Sequence, residues 1–227
     1  DHQNRASTAA ETRRNMTATF LEPWRSKSLA SIGRGDVLAI TDALMAKGRP
    51  SAARHAFAHA RKFFSWCVER GLIETSPMMG LKTPVRAKNR ARTLTPDELA
   101  AVYSAAEQIG YPFGTIVKLL ILTGQRRGEV AGLEWSEVDE VAAVWTIPAA
   151  RSKNGRAHAL PLAPVALATI KSLPRLSDTF AFPARGNEEA TFSGWSKAKA
   201  QLDELAAVTD WTLHDLRRTT ATRLAGL

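Results

Sequence analysis

Residues 82–93, KTPVRAKNRART, carry five basic residues, one proline and no acid, and they show no apolar periodicity. Such a stretch has no face to bury, so it marks a linker and divides the chain. Directly after it, Thr95 offers a capping hydroxyl, Pro96 suits the first helical position, and Glu98 follows three residues past the cap. That pattern is a capping box, and it opens a helix and a new domain. The expected organisation is a helical domain over 1–81, a basic linker over 82–93 and a second domain over 94–227.

The first segment contains two helical patterns, DVLAITDALMAKG and SAARHAFAHARKFFSWCVERG, which stop at Gly48 and Gly71. Ser51 is the expected cap of the second helix. Its core stripe is Ala56, Phe57, Ala60, Phe63, Phe64 and Cys67, flanked by the basic Arg54, His55, Arg61 and Lys62. That flank reads either as a solvated face or as a surface for a polyanion. Beyond residue 94, FGTIVKLLILTG is a buried helix stopped by Gly124, and RRGEVAGLEW is a short helix. The period then changes to two: AAVWTIPAA and AHALPL read as strands around RSKNGR, with Asn154-Gly155 as the hairpin turn. Helical spacing returns in PVALATIKSL, FSGWSKAKAQLDEL and WTLHDLRRTTATRLAGL. The expected fold class is mainly α with a small antiparallel β-sheet.

Lysines and arginines number 31 against 22 acids, a formal charge of +9. The partner expected for such a chain is a polyanion, with nucleic acid first. The single cysteine, Cys67, excludes an intrachain disulfide. The longest apolar run, IVKLLIL, is interrupted by Lys118 and falls far short of the ~20 residues of a membrane span. The first residues are polar and hold no signal-peptide core. A cytoplasmic protein with no membrane partner is expected.

Three stretches place cations where folding alone does not favour them. In WTLHDLRRTTATRLAGL, the residues Leu213, Leu216, Thr220, Leu224 and Leu227 share one arc of a helix. Arg217 lies at the margin of that arc, His214 further round, and Arg218 toward solvent. An arginine there needs an anion: either a buried carboxylate, with Asp215 set aside on the far side of the helix, or a phosphate that matches the guanidinium fork. In TGQRRGEV, Arg126 and Arg127 open a helix against its dipole. Glu129 compensates for them, either as a structural partner of Arg126 or as the residue that orients it, with the free amides of the helix start helping to hold an anion. Lys153, at the tip of the hairpin, reads as an exposed turn residue or as an ammonium that can reach a bound substrate and donate a proton.

TGQRRGEV, RSKNGRAHALPL and HDLRRTTATRLA, in that order, resemble the tyrosine recombinase (phage integrase) family, and their wording is similar to that of genomic-island and temperate-phage integrases. The resemblance covers nearly the whole chain, with a core-type DNA-binding domain over 1–81 and, over 94–227, a catalytic domain lacking its C-terminal part. It implies catalytic roles for Arg126, Lys153, His214 and Arg217, with Glu129 in support. The implied reaction is attack of a tyrosine on duplex DNA at an attachment site, giving a 3′-phosphotyrosyl link and a free 5′-hydroxyl, without metal or nucleotide cofactor. Arg54, Arg61 and Lys62 of the first domain and Arg86, Lys88, Arg90 and Arg92 of the linker are the expected DNA contacts. The resemblance further implies a bacterial or phage-encoded, nucleoid-associated protein that acts as a tetramer on paired sites. A type IB topoisomerase and a non-catalytic DNA-binding protein are the alternatives. Tyr103 and Tyr111 both precede the first motif and match no nucleophile. The chain therefore reads as a fragment, monomeric in solution, inactive alone, and without an amino-terminal arm-binding domain.

Overall fold

A computed structural model of the chain describes residues 6–85 and 91–226. The chain divides between residues 89 and 90 into two compact units. Arg86, Lys88 and Arg90 of the basic stretch lie outside the described residues.

The first unit is helical. It comprises α1 Ala6–Met16, a π-turn Thr17–Leu21, α2 Glu22–Trp24, a 3-10 turn Leu29–Ser31, α3 Arg34–Ala46 and α4 Pro50–Glu69. Asp36 caps the start of α3 by accepting from the Gly33 amide at 2.9 Å, and it also pairs with Lys27. α4 differs from expectation at its start: Arg49 is the cap and Pro50 the first helical residue, so Ser51 lies inside the first turn. Proline suits that position because its missing N–H has no helical partner there in any case. Ala56, Phe57, Ala60, Phe64 and Cys67 are buried as expected, whereas Phe63 is half-buried at the edge of the core. Phe20, Ile32, Val37 and Met78 complete that core.

The second unit holds α5 Pro96–Ile109, α6 Phe113–Thr123 and α7 Arg127–Ala131, followed by a 3-10 turn at Trp135–Glu137. Then come β1 Val138–Asp139, β2 Val144–Ile147, β3 His158–Pro161, α8 Pro164–Lys171, β4 Pro183–Ala184, β5 Asn187–Thr191, α9 Trp195–Ala206 and α10 Leu213–Leu224. β1, β2 and β3 form an antiparallel sheet in which Ile147 faces His158, and β4 pairs with β5. The fold is thus mainly α with small antiparallel sheets. The capping box at Thr95 forms as read: the Glu98 amide donates to Oγ1 of Thr95, and the Thr95 amide donates to Glu98.

α6 is the central helix, with Ile116, Val117, Leu119 and Leu120 each at most 1% exposed. Burial of each such side chain contributes about 1.5–3 kcal/mol. Gly114 lets α5 come close, because a methyl group there would overlap the Ala106 carbonyl. Leu216 of α10 is fully buried in the same core. Among the described residues no helix is long and apolar enough to cross a membrane.

Candidate active site

The site begins where α6 ends. Gly124 adopts the left-handed conformation, φ 61°, that stops the helix. Its lack of a side chain also matters, since a Cβ there would lie 3.1 Å from Cγ2 of Thr220 on α10. α10 therefore lies close enough to serve the carbonyls left open at that helix end. Thr220 Oγ1 donates to the Ile121 carbonyl at 3.0 Å, and Arg217 Nη1 donates to the Gly124 carbonyl at 2.5 Å. A cation at the negative end of the α6 dipole is well placed.

Two residues further on, Arg126 caps the five-residue α7. Glu129, only 4% exposed, uses both of its oxygens on this residue: one accepts from the Arg126 amide at 2.9 Å, the other from Arg126 Nη1 at 2.8 Å. Of the amides at this helix start expected to help hold an anion, that of Arg126 is taken by Glu129. Burial alone would raise the Glu129 pKa. The Arg126 amide and guanidinium and the nearby Arg217 outweigh it and hold the carboxyl below its usual range. Arg217 is pushed down from the ordinary arginine value, first by burial and then by the positive charge of Arg126, with Glu129 opposing both. Arg126, Glu129 and Arg217 therefore form one electrostatic cluster, two cations around one carboxylate. Each guanidinium has five N–H donors. Among the described residues, each cation spends only one nitrogen on a hydrogen bond within the protein.

α10 corrects the arc read from the sequence. Asp215 is fully buried rather than on a solvent side, because it accepts from the Thr212 amide and hydroxyl, both at 2.9 Å, and so folds the preceding segment over itself. It also accepts from Arg218 at 2.7 Å, so Arg218 is an ion-pair partner and not a free surface cation. Thr219, buried, links the Leu94 amide to the Asp215 carbonyl, while Leu224 is 64% exposed and Leu227 lies outside the described residues. His214 is exposed on α10, one turn before Arg217.

Lys153 is exposed in the connection between β2 and β3. That connection is longer than the two-residue hairpin read from Asn154-Gly155: it runs from 148 to 157, and a turn closed by the Gly155 amide on the Ser152 carbonyl sits at its tip. Two residues here escape a reading of the sequence. Arg151 makes a two-pronged ion pair with the buried Glu137, and His158 lies 3.1 Å from Oε1 of Gln125, next to Arg126. No local pattern joins Arg151 to Glu137 across 14 positions, or His158 to Gln125 across 33.

The remaining candidates differ in their settings. Arg92 donates to Glu98 at 2.5 Å and to the Thr93 carbonyl at 2.9 Å, so it braces the α5 capping box. On α4, Arg61 donates to the Leu81 carbonyl at 2.6 Å above the Phe57 ring, Arg54 contacts His55 at 3.1 Å, and Lys62 is exposed. Both tyrosines are engaged elsewhere. Tyr111 donates to the Ala181 carbonyl at 3.1 Å, and burial pushes its phenol pKa up. It precedes the 11-residue α6, whereas the arginines sit past the other end, about 16 Å along the axis. The Tyr103 ring packs under the Lys118 ammonium, 5.0 Å from its centroid.

The phage integrase family pattern matches residues 92–226. The chain belongs to that family. It is 28% identical over 136 residues to an integrase of Escherichia phage HK022, covering 60% of this chain and 37% of the relative. It is 30% identical over 166 residues to the prophage integrase IntZ of Escherichia coli K12, covering 70% of this chain and 40% of the relative. The chain thus spans about two fifths of the length of those curated relatives. Its fold matches lambda integrase residues 75–356 bound to DNA, with a TM-score of 0.73 at 21% identity, over 96% of this chain and 79% of that one.

Proposed function

We propose that these 227 residues are the DNA-binding and phosphate-activating core of a site-specific recombinase, and that the attacking tyrosine lies outside them. The observation that carries this reading is the convergence of Arg126 and Arg217 around Glu129, with most of their N–H donors unspent. Glu129 balances only one of the two half-buried cations, and a phosphodiester, whose oxygens match the guanidinium fork, would balance the other.

In this mechanism the two guanidiniums bind the non-bridging oxygens and stabilise the charge that grows on them as phosphorus becomes five-coordinate. The tyrosine oxygen forms its bond to phosphorus while the bond to the 5′-oxygen breaks. Lys153 gives that oxygen its proton, and His214 takes the proton of the phenol. The energy of the broken ester is kept in the phosphotyrosine, so the freed 5′-hydroxyl of a partner strand reseals the DNA by the reverse steps. Arg54, Arg61 and Lys62 on α4, together with the stretch Arg86, Lys88, Arg90 and Arg92, contact the duplex backbone. The full-length protein works as a tetramer on paired sites.

The test is to incubate the tyrosine-bearing protein with end-labelled suicide duplexes. The expected product is a protein joined to the 3′ end and a free 5′-hydroxyl, with strand exchange between two duplexes. Relaxation of supercoils without exchange would favour a topoisomerase instead, and binding without any cleavage would reduce the protein to an occupant of DNA.

A further inference from the structure

We propose that Arg151 is the positioning residue that holds the Lys153 loop against the arginine cluster. This rests on the reading of Lys153 as the proton donor to the leaving 5′-oxygen. Lys153 is exposed and makes no hydrogen bond of its own among the described residues, so the base of its loop sets where its ammonium goes. Arg151, two residues before it, is that base.

The guanidinium of Arg151 joins three pieces of the unit. Its Nε and Nη2 donate to the two oxygens of Glu137 at 2.6 and 2.7 Å. Glu137 is 8% exposed and accepts as well from the indole of the fully buried Trp145 at 3.0 Å, which fixes the carboxylate to β2. Nη2 of Arg151 also reaches the backbone carbonyl of Glu129 at 3.2 Å, on the helix whose cap is Arg126. Gly132 makes room for this, because a methyl group there would overlap the guanidinium. One planar fork thus ties the sheet, the loop of the proton donor and the helix of the arginine clamp. Lysine cannot replace it, since a point charge lacks the two-pronged geometry. Displacement of a reacting group by about 1 Å can cost ~10²-fold in rate.

The test uses the tyrosine-bearing protein and two suicide duplexes that differ only in oxygen or sulfur at the bridging 5′ position. The paired variant Arg151→Met/Glu137→Gln removes both charges together, so no carboxylate is left buried and unpaired. We expect cleavage of the oxygen duplex to fall about 10²-fold. Cleavage of the sulfur duplex should stay near wild type, since a thiolate leaves without a proton, and adding Lys153→Ala should bring no further loss. Equal loss on both duplexes, or undiminished cleavage of the oxygen duplex, overturns the proposal. Lys153→Ala alone distinguishes the underlying reading: if sulfur rescues it but not the paired variant, only the role of Arg151 falls. If sulfur does not rescue Lys153→Ala, the role of Lys153 falls and this proposal with it. A second measurement holds even where the paired variant folds poorly. In Arg151→Lys, amides of residues 148–157 should exchange hydrogen faster while those of α6 are unchanged; unchanged loop exchange contradicts the tether.

Discussion

Arg126 and Arg217 are half-buried and pinned by Glu129 and a backbone carbonyl, whereas the side chains of Lys153 and His214 in the same unit are exposed, Lys153 on a loop anchored at Arg151. The difference matches the work each pair would do. Charge stabilisation is strongest where donors are fixed in advance and water is kept out. Proton transfer is made in the bound state, so an exposed ammonium or imidazole can serve it, provided its backbone is held within reach of the reacting oxygen.

Substitutions can break this contrast. The largest effect is expected at the pinned pair: Arg126→Ala or Arg217→Ala in the tyrosine-bearing protein should slow cleavage by about 10²–10³-fold or more, with duplex binding nearly intact in a mobility-shift assay. Near-normal cleavage in either variant would remove that arginine from the clamp. Lys153→Ala should lose about 10²-fold on an oxygen-bridged duplex and regain most of it with sulfur. Next comes the proposed DNA surface. Lys62→Ala should flatten the log–log salt dependence of duplex binding by ~0.9, the share of a single neutralised phosphate. Arg92→Ala, by contrast, should lower the melting temperature through the α5 cap more than it changes that slope, and the reverse ranking would return Arg92 to the DNA surface alone. The smallest effect concerns pH. Because the folded state holds the Glu129 pKa below its unfolded value near 4.5, its contribution to stability is present above that pH and is lost as the pH falls through the lower folded value. Glu129→Gln should therefore flatten the acid limb of a stability–pH curve, and an unchanged limb would mean the carboxylate is not held as described.

The fixed half of this site is legible in the sequence and the connecting half is obscure. Gly124, Arg126 and Glu129 lie within six consecutive residues, so helix-stop and capping rules reach all three. α6 and α4 are readable from period, and the Thr95 capping box from its own four residues. The β1 strand and the β4–β5 hairpin are not, because two-residue strands have no period and Asn187–Thr191 is polar along most of its length. Asp215 is misplaced for a related reason: a helical wheel sets it opposite the core, but its bonds to Thr212 bury it from the other side. Arg151 and Glu137 meet only through the folded sheet, and no spacing rule anticipates them.

The central claim is that these residues hold the phosphate clamp while the nucleophile lies elsewhere, and one measurement bears on it directly. The 227-residue chain is mixed with a suicide duplex that traps covalent intermediates, and the products are separated on a denaturing gel, beside the tyrosine-bearing protein. Tyr111 is bonded to the Ala181 carbonyl and Tyr103 lies under Lys118, so the chain alone should bind the duplex and give no covalent band, while the tyrosine-bearing protein should give one. A covalent band from the chain alone, mapped by peptide sequencing to Tyr103, Tyr111 or any other of its side chains, would contradict the account.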